Sequence, residues 1–432
     1  MIKNILHITP HLGGGIGSVV LNWMRKDFSG CLHTIISLDK NNNKDWIDVN
    51  ENYKNVTILN ACYFKEDFEI LLKDRITSSD IVVLHWWNHP LLYDVMINFQ
   101  WSPCRLILWN HVNSLFPPYS MPEKLFDFVD YLVFTSPVSY ECKEIKNNYN
   151  KIKEKIDVIW STIGIEDFEK LEKIPHSSFN VGYTGTVDFG KLNSNFINLC
   201  SKIDIPDVKF IVTSGDSQQH LINESINANI WSKFAFLGRV PQVSRILAEI
   251  DVFGYPLQPQ HFATCEQSLG EAMMAGCVPV VLANPTERHI VKHMETGIIA
   301  NTLEEYPRAI EYLYKNPDLR KQLAEQGKIF AKKQYDITMT IQKWNELFDK
   351  AISTNKRERV WVEKKNKLSP AELYIEALGE YSLPLKEANR IGIKQLFDSN
   401  PMFYSKNKGS VLQYLQFFPE DKILQTWADA LY

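Results

Sequence analysis

The chain has 432 residues, of which 45% are hydrophobic, and carries a net charge of −4 with a pI near 6.3. That length exceeds one ordinary core and predicts two domains plus an appendage. The mildly acidic balance excludes an overall basic signature for nucleic acid, and no run of about 18 apolar residues is present to span a membrane.

Short apolar runs at Ile5–Thr9, Thr34–Leu38, Ile81–Leu84, Leu106–Trp109 and Tyr131–Thr135 predict strands, with Val158–Ile159 closing the series. The opening MIKNILHITP thus reads as a strand, without the long apolar core and cleavage site of a signal peptide. A second series follows at Val181–Tyr183, Lys209–Val212, Phe234–Phe236, Val252–Tyr255 and Pro279–Leu282. Two successive α/β series predict two facing, Rossmann-like doubly wound domains, with ligands in a cleft at the carboxyl ends of the strands. The predicted divisions are 1–165, 166–335, a helix over 336–355, and a basic linker with a helical appendage over 356–432. Seven scattered cysteines, without a C-x-x-C pair, predict reduced thiols and neither a disulfide framework nor a zinc site.

Candidate site residues cluster after the strands. Gly13-Gly14-Gly15-Ile16-Gly17 follows the first strand and opens an apolar helix, where bare backbone approaches a ligand and the helix start meets an anion. A dinucleotide fingerprint competes here. Gly13 and Gly15 fit G-x-G and Asp39 ends the next strand, but Ser18 replaces the third glycine and Pro10–Leu12 lengthen the turn. Asn41–Asn43 reads as a polar loop. His85 and His111 sit at strand ends, where imidazoles bond phosphate or sugar hydroxyls, while His89 reads as surface. Carboxylate or cysteine partners at ligand spacing are lacking beside them, so no metal site is expected. In Gly182–Lys191, Gly185 permits close approach and Lys191 brings a charge suited to a diphosphate. Arg239 and Val240 follow the Phe234–Phe236 strand. The most informative stretch is HFATCEQSLGEAMMAGCVPVVL, His261–Leu282. It predicts a polar loop with Thr264 as cap, a helix carrying Glu271, a stop at Gly276 and a buried strand. A helix start that binds a diphosphate, beside a carboxylate that binds a ribose, makes a nucleotide-sugar grip.

Glu271-Ala272-Met273-Met274-Ala275-Gly276-Cys277-Val278-Pro279-Val280 resembles the donor motif of retaining GT-B glycosyltransferases of family 4 (glycosyl transferases group 1), in which Glu, seven residues and a second Glu precede A-M-A-x-G-x-P-V. Ala263 stands where the first glutamate belongs, and Glu266 with Gln267 is the nearest replacement. Gly14 and Gly15 resemble the G-G-x-E entry, with Gly17 for Glu, and Gly185-Thr186 resembles G-R-L with Thr for Arg. Arg239 is then a second source of the missing cation. The resemblance implies transfer of a sugar from a nucleotide-diphosphate donor to a hydroxyl acceptor with retention, without metal or other cofactor. It implies His111, Lys191 and Glu266 as catalytic. Donor contacts would come from Gly15, Gly185, Thr186, Lys191, Arg239, Val240, Thr264, Cys265, Glu266, Gln267 and Glu271, and acceptor contacts from Gly14 and His85. The helix over 336–355 would cross back onto the first domain. A bacterial surface polysaccharide or glycolipid acceptor is implied by analogy, and a cytoplasmic enzyme, peripheral on the inner face of the membrane if the basic Lys356–Lys367 touches lipid. The bland reading of that stretch is a solvated linker. Alternatives are an NAD-dependent oxidoreductase, a nucleotide-sugar epimerase and a catalytically degenerate scaffold.

Overall fold

The computed structural model describes residues 2–40, 45–64, 67–361 and 366–432; Asn41–Asn43 and the centre of the basic stretch lie outside them. The chain divides into two units: Met1–Thr162 with Ile337–Tyr432, and Ile163–Asp336.

In the first unit, β1 (Asn4–Thr9), β2 (Leu32–Ser37), β3 (Val56–Asn60), β4 (Ile81–Trp86), β5 (Leu106–Asn110), β6 (Tyr131–Phe134) and β7 (Ile156–Val158) form one parallel sheet in the order β3-β2-β1-β4-β5-β6-β7. The unbroken apolar runs of β4 and β5 are buried along their whole length, as central strands covered on both faces must be. After the second unit the chain returns as the helix Ile337–Ile352. Trp344, Leu347, Phe348 and Ala351 recur at helical spacing and enter the core, where Trp344 stacks on Trp23 at 4.9 Å and meets Trp109 at 5.0 Å.

The C-terminal helices Pro370–Leu378, Arg390–Asp398, Val411–Phe417 and Lys422–Asp429 belong to this unit. They dock beside the helix Pro90–Asn98. Asn98 and the Leu368 backbone exchange bonds of 2.7 and 3.0 Å, and Phe417 packs edge-on to His89 at 4.8 Å. The described part of the basic stretch is not a solvated linker. Arg359 is buried, bonds the Phe128 and Cys104 carbonyls at 2.8 and 2.7 Å, and pairs with Asp130. Arg357 also reaches Asp130, at 2.7 Å, and Lys356 bonds the Ser79 carbonyl at 2.7 Å. These cations satisfy carbonyls where the chain straps the first unit.

In the second unit, β8 (Phe179–Thr184), β9 (Val208–Thr213), β10 (Phe234–Gly238), β11 (Val252–Tyr255), β12 (Val278–Leu282) and β13 (Ile298–Ala300) form a parallel sheet ordered β10-β9-β8-β11-β12-β13. β3 and β13, absent from the predicted series, are both edge strands: β3 alternates in burial and β13 has only three residues. Among the described residues, no helix is long and apolar enough to cross a membrane. All seven cysteines are free.

Candidate functional site

The second unit gathers a charged cluster at the carboxyl ends of β8 and β11. Tyr183 and Tyr255 stack there at 5.2 Å. Their hydroxyls flank Gly185, and Tyr183 donates to the Thr186 carbonyl at 2.5 Å. The loop then turns at Asp188, whose carboxylate accepts from the Gly190 N–H at 2.6 Å, and this brings Lys191 back over the Tyr255 ring. Lys191 Nζ lies 3.1 Å from Glu266 Oε2, and the Tyr255 hydroxyl donates to the same oxygen. Both charged side chains are largely buried. Low dielectric strengthens their attraction, and the Tyr255 hydroxyl adds a second donor to the carboxylate.

Glu266, not Thr264, occupies the N-cap position of the helix Gln267–Met274. The reason is its left-handed backbone, φ 36° and ψ 74°, which starts the helix later and aims the side chain at Lys191 instead of the helix N–H groups. A non-glycine residue held so costs on the order of 1–3 kcal/mol and persists where its surroundings fix it. The preceding loop is pinned from outside. Tyr335 donates to the Cys265 carbonyl at 2.9 Å, Thr286 to the Ala263 carbonyl at 2.8 Å, and His261 accepts from the Ala263 N–H at 3.1 Å. Thr264 and Cys265 have buried side chains. The helix stops as its sequence predicts: Gly276 is left-handed at φ 75°, and the Gly276 and Cys277 N–H groups return to the Met273 and Ala272 carbonyls at 3.0 and 2.9 Å.

Glu271, just over one turn beyond Gln267, is half-buried, and its carboxylate has no hydrogen-bonding or ion-pair partner among the described residues. Burial, helped by the nearby charge of Asp167, pushes its carboxyl up to about 7. Arg239 and Val240 are not brought to this cluster. They follow β10, separated from β8 by β9, and Arg239 is exposed. The turn before them is held by Gly238, whose N–H donates to Gln218 at 3.1 Å and whose carbonyl accepts from Ser214 at 3.0 Å. Tyr183 and Tyr255 are site residues that the motifs do not announce. Their signal is a tyrosine at or near the carboxyl end of a central strand.

In the first unit, Gly14 and Gly15 are exposed at the start of the helix Gly14–Lys26. Gly17 serves packing instead. A Cβ there would lie 2.1 Å from the Leu12 carbonyl oxygen, so the bare glycine seats the helix against the loop after β1. Two histidine expectations need correction. His89 is buried, and its ring caps the helix Pro90–Asn98 by accepting from the Leu91 N–H at 3.2 Å. His85 is fully buried with both ring nitrogens engaged, so it has none left for an acceptor. It lies between His7, 3.0 Å from its Nε2, and His111, 3.1 Å from its Nδ1. His7 in turn meets His33 at 2.9 Å, and His33 meets Asp27 at 3.0 Å. Burial, then the charge of Lys408, lowers His111 to about 3; burial likewise holds His7 and His85 well below the usual imidazole range. All three are neutral at pH 7. Asp27, His33 and Cys31 also place three ligand-type atoms within 4.8 Å of one another, a grouping their sequence spacing does not announce.

Residues 165–330 match the family described as glycosyl transferases group 1. The match covers the unit holding Lys191, Glu266 and Glu271. A relative described as an uncharacterized glycosyltransferase, from Haemophilus influenzae, is 27% identical over 138 residues, which are 31% of this chain and 38% of that protein. The fold extends further. Anabaena Alr3699/HepE, solved with UDP and glucose, superposes with a TM-score of 0.66 at 12% identity, over 81% of this chain and 100% of that one. A glycosyltransferase from Rickettsia africae gives a TM-score of 0.63 at 13% identity, over 82% and 99%. The two Rossmann-like parallel sheets, seven and six strands wide, are those of the GT-B fold.

Proposed function

We propose that this chain is a retaining glycosyltransferase of family 4, moving a sugar from a nucleotide-diphosphate donor to a hydroxyl acceptor. The observation that carries this reading is the pairing of Lys191 with Glu266 at the mouth of the helix that bears unpartnered Glu271, inside the segment matching glycosyl transferases group 1. Donor binding is assigned to the second unit. The diphosphate meets Lys191 and the backbone around Gly185, Thr186 and Thr264–Gln267, and Glu271 accepts the ribose hydroxyls. The Anabaena neighbour's complex with UDP supports a uridine-type donor class. The loop after β10, with Arg239 and Val240, is assigned to the nucleobase.

The chemistry required of the enzyme is positioning and charge stabilisation. The acceptor hydroxyl attacks on the face the diphosphate leaves, and the leaving phosphate helps take its proton. Lys191 stabilises the departing charge. Its hold on Glu266 is then exchanged for the diphosphate, leaving Tyr255 to bond the carboxylate. No metal or other cofactor has a part. Gly14, Gly15 and His111 of the first unit are assigned to substrate. The acceptor class is a bacterial surface polysaccharide or glycolipid, and we assign the enzyme to the cytoplasm. An NAD-dependent oxidoreductase gives Glu271 and Lys191 no role, although the strand order of the first sheet would suit one.

A thermal-shift series with nucleoside diphosphates, nucleotide sugars and NAD tests the reading, since a ligand bound only by the folded state raises Tm by linkage. Stabilisation by a nucleoside diphosphate, lost in Glu271→Ala, is expected. Stabilisation by NAD alone would overturn the reading.

A further inference from the structure

The histidines of the first unit form one continuous row. In the sheet register His33 lies beside Ile5, His7 beside Val83, and His85 beside Trp109. Each next histidine is two residues further along: His7 after Ile5, His85 after Val83, His111 after Trp109. Residues two apart share a face of a strand, so the four rings climb diagonally across β2, β1, β4 and the end of β5 on one face. The row starts near the amino end of β2 and finishes just past the carboxyl end of β5, the edge where open α/β sheets bind ligands. Every link is between 2.9 and 3.1 Å.

A neutral imidazole has one donor and one acceptor nitrogen, so a row of them must run in one direction. The inner end decides which. Asp27 accepts from the Trp23 indole at 3.1 Å and from the Ser29 N–H at 2.8 Å as well as from His33. Burial raises its carboxyl, but the bonds from His33 and Ser29 more than offset this and bring it to about 2. It is therefore an anion that can only accept. With a single ring proton, His33 donates to it from Nε2 and accepts at Nδ1 from His7 Nε2. His7 then accepts at Nδ1 from His85 Nε2, and His85 accepts at Nδ1 from His111 Nε2. His111 is left with a bare Nδ1, which has no partner among the described residues, on a side chain that retains 8% exposure.

We infer that Asp27, His33, His7 and His85 are positioning residues that fix the tautomer of His111, so that it offers substrate a lone pair on Nδ1 and takes a hydroxyl, not a phosphate oxygen, as its ligand. A phosphate oxygen would meet a lone pair; a sugar or acceptor hydroxyl meets an acceptor. The assignment of His111 to substrate rests on the glycosyltransferase reading, whereas the direction of the row does not.

Histidine-selective 15N labelling of the full chain, with long-range proton–nitrogen correlation and no substrate present, reads each ring nitrogen directly. Each of the four rings is expected as the Nε2–H tautomer, bare at Nδ1. A single member found as the Nδ1–H tautomer, or as an imidazolium, overturns the inference whether or not the chain transfers sugar. Asp27→Asn removes the acceptor-only end. His111 is then expected to lose its single tautomer and show an Nδ1–H population, with the signals of His176 and His293 in the other unit in place. An unchanged His111 in a folded Asp27→Asn protein would also overturn the inference; if that variant does not fold, the wild-type spectrum still decides. Chelation with EDTA is expected to leave the His33 signals unmoved. A shift there would make Asp27, Cys31 and His33 a metal site and end the row's role.

Discussion

Lys191 and Glu266 hold each other across the end of two neighbouring strands, Nζ to Oε2 at 3.1 Å, with the glutamate in a left-handed backbone that aims it there. A pair so placed serves two states. Without ligand it neutralises two largely buried charges. On the proposed reading, a bound diphosphate gives the lysine a second anion. Removing the lysine should therefore be felt in both. Lys191→Ala is expected to lower the transfer rate by about 10²–10³, the usual loss for one donor to a developing anion. It should also lower Tm, because Glu266 loses its counter-ion. Steady-state kinetics and a melting curve check the two effects. A rate within about fivefold of wild type would make the pair purely structural.

Glu271 should make donor binding depend on pH. Its carboxyl sits at about 7, and ribose hydroxyls donate best to the ionised form. Nucleoside diphosphate affinity is therefore expected to rise between pH 6 and 8, with proton release seen as a buffer-dependent binding heat. In Glu271→Gln that rise should disappear. Stability runs the other way. A raised acid favours the fold below its unfolded value, near 4.3, and that advantage is lost as pH climbs through 7. Glu271→Gln should therefore melt above wild type at pH 8 and alongside it at pH 4.

Gly17→Ala is expected to destabilise by about 1–3 kcal/mol in denaturant titration, since the new methyl meets the Leu12 carbonyl oxygen at 2.1 Å and the helix must shift. Gly15 is exposed at the helix start, so Gly15→Ala should fold like wild type. Loss of activity in Gly15→Ala alone would assign that glycine to substrate.

Arg359→Ala is expected to cost about 3 kcal/mol, because it strips a buried partner from Asp130 and a donor from the Phe128 carbonyl, while Arg357 still serves Asp130 and the Cys104 carbonyl. Lysine is not an adequate replacement: one ammonium lacks the planar fork that reaches all three acceptors. Equal stability in Arg359→Lys would show that charge alone suffices.

Transfer, or slow donor hydrolysis, is expected to survive EDTA and gain nothing from added Mg²⁺ or Mn²⁺. Full loss restored by a divalent ion would direct attention to Asp188 and Asp216 as ligands.

The second unit is the more legible of the two in sequence. His261–Leu282 carries its loop, helix, stop and strand in consecutive residues, so local rules suffice for all but the cap, where the left-handed Glu266 overrides Thr264. The histidine row is not legible. His7, His33, His85 and His111 come from separate strands, and only the register of β2, β1, β4 and β5 brings them together. The basic stretch misleads for a related reason. Charge density reads as solvation, while the carbonyls that Arg357 and Arg359 satisfy lie more than two hundred residues earlier in the chain. Edge strands β3 and β13 are too short, or too mixed in polarity, to stand out.

The return of the chain into its first unit sets an order of assembly. Trp23 and Trp109 lie near the amino terminus, yet the surface that covers them, Trp344 and Phe348, is made only after the whole of Ile163–Asp336. On the ribosome the middle of the chain is thus a contiguous, self-contained body that can fold while the first sheet still waits with its tryptophans uncovered. The segment synthesised first is the last to be finished. Truncation before Trp344 therefore leaves Trp23 and Trp109 uncovered at the far end of the polypeptide, a mark by which quality control would recognise an incomplete chain.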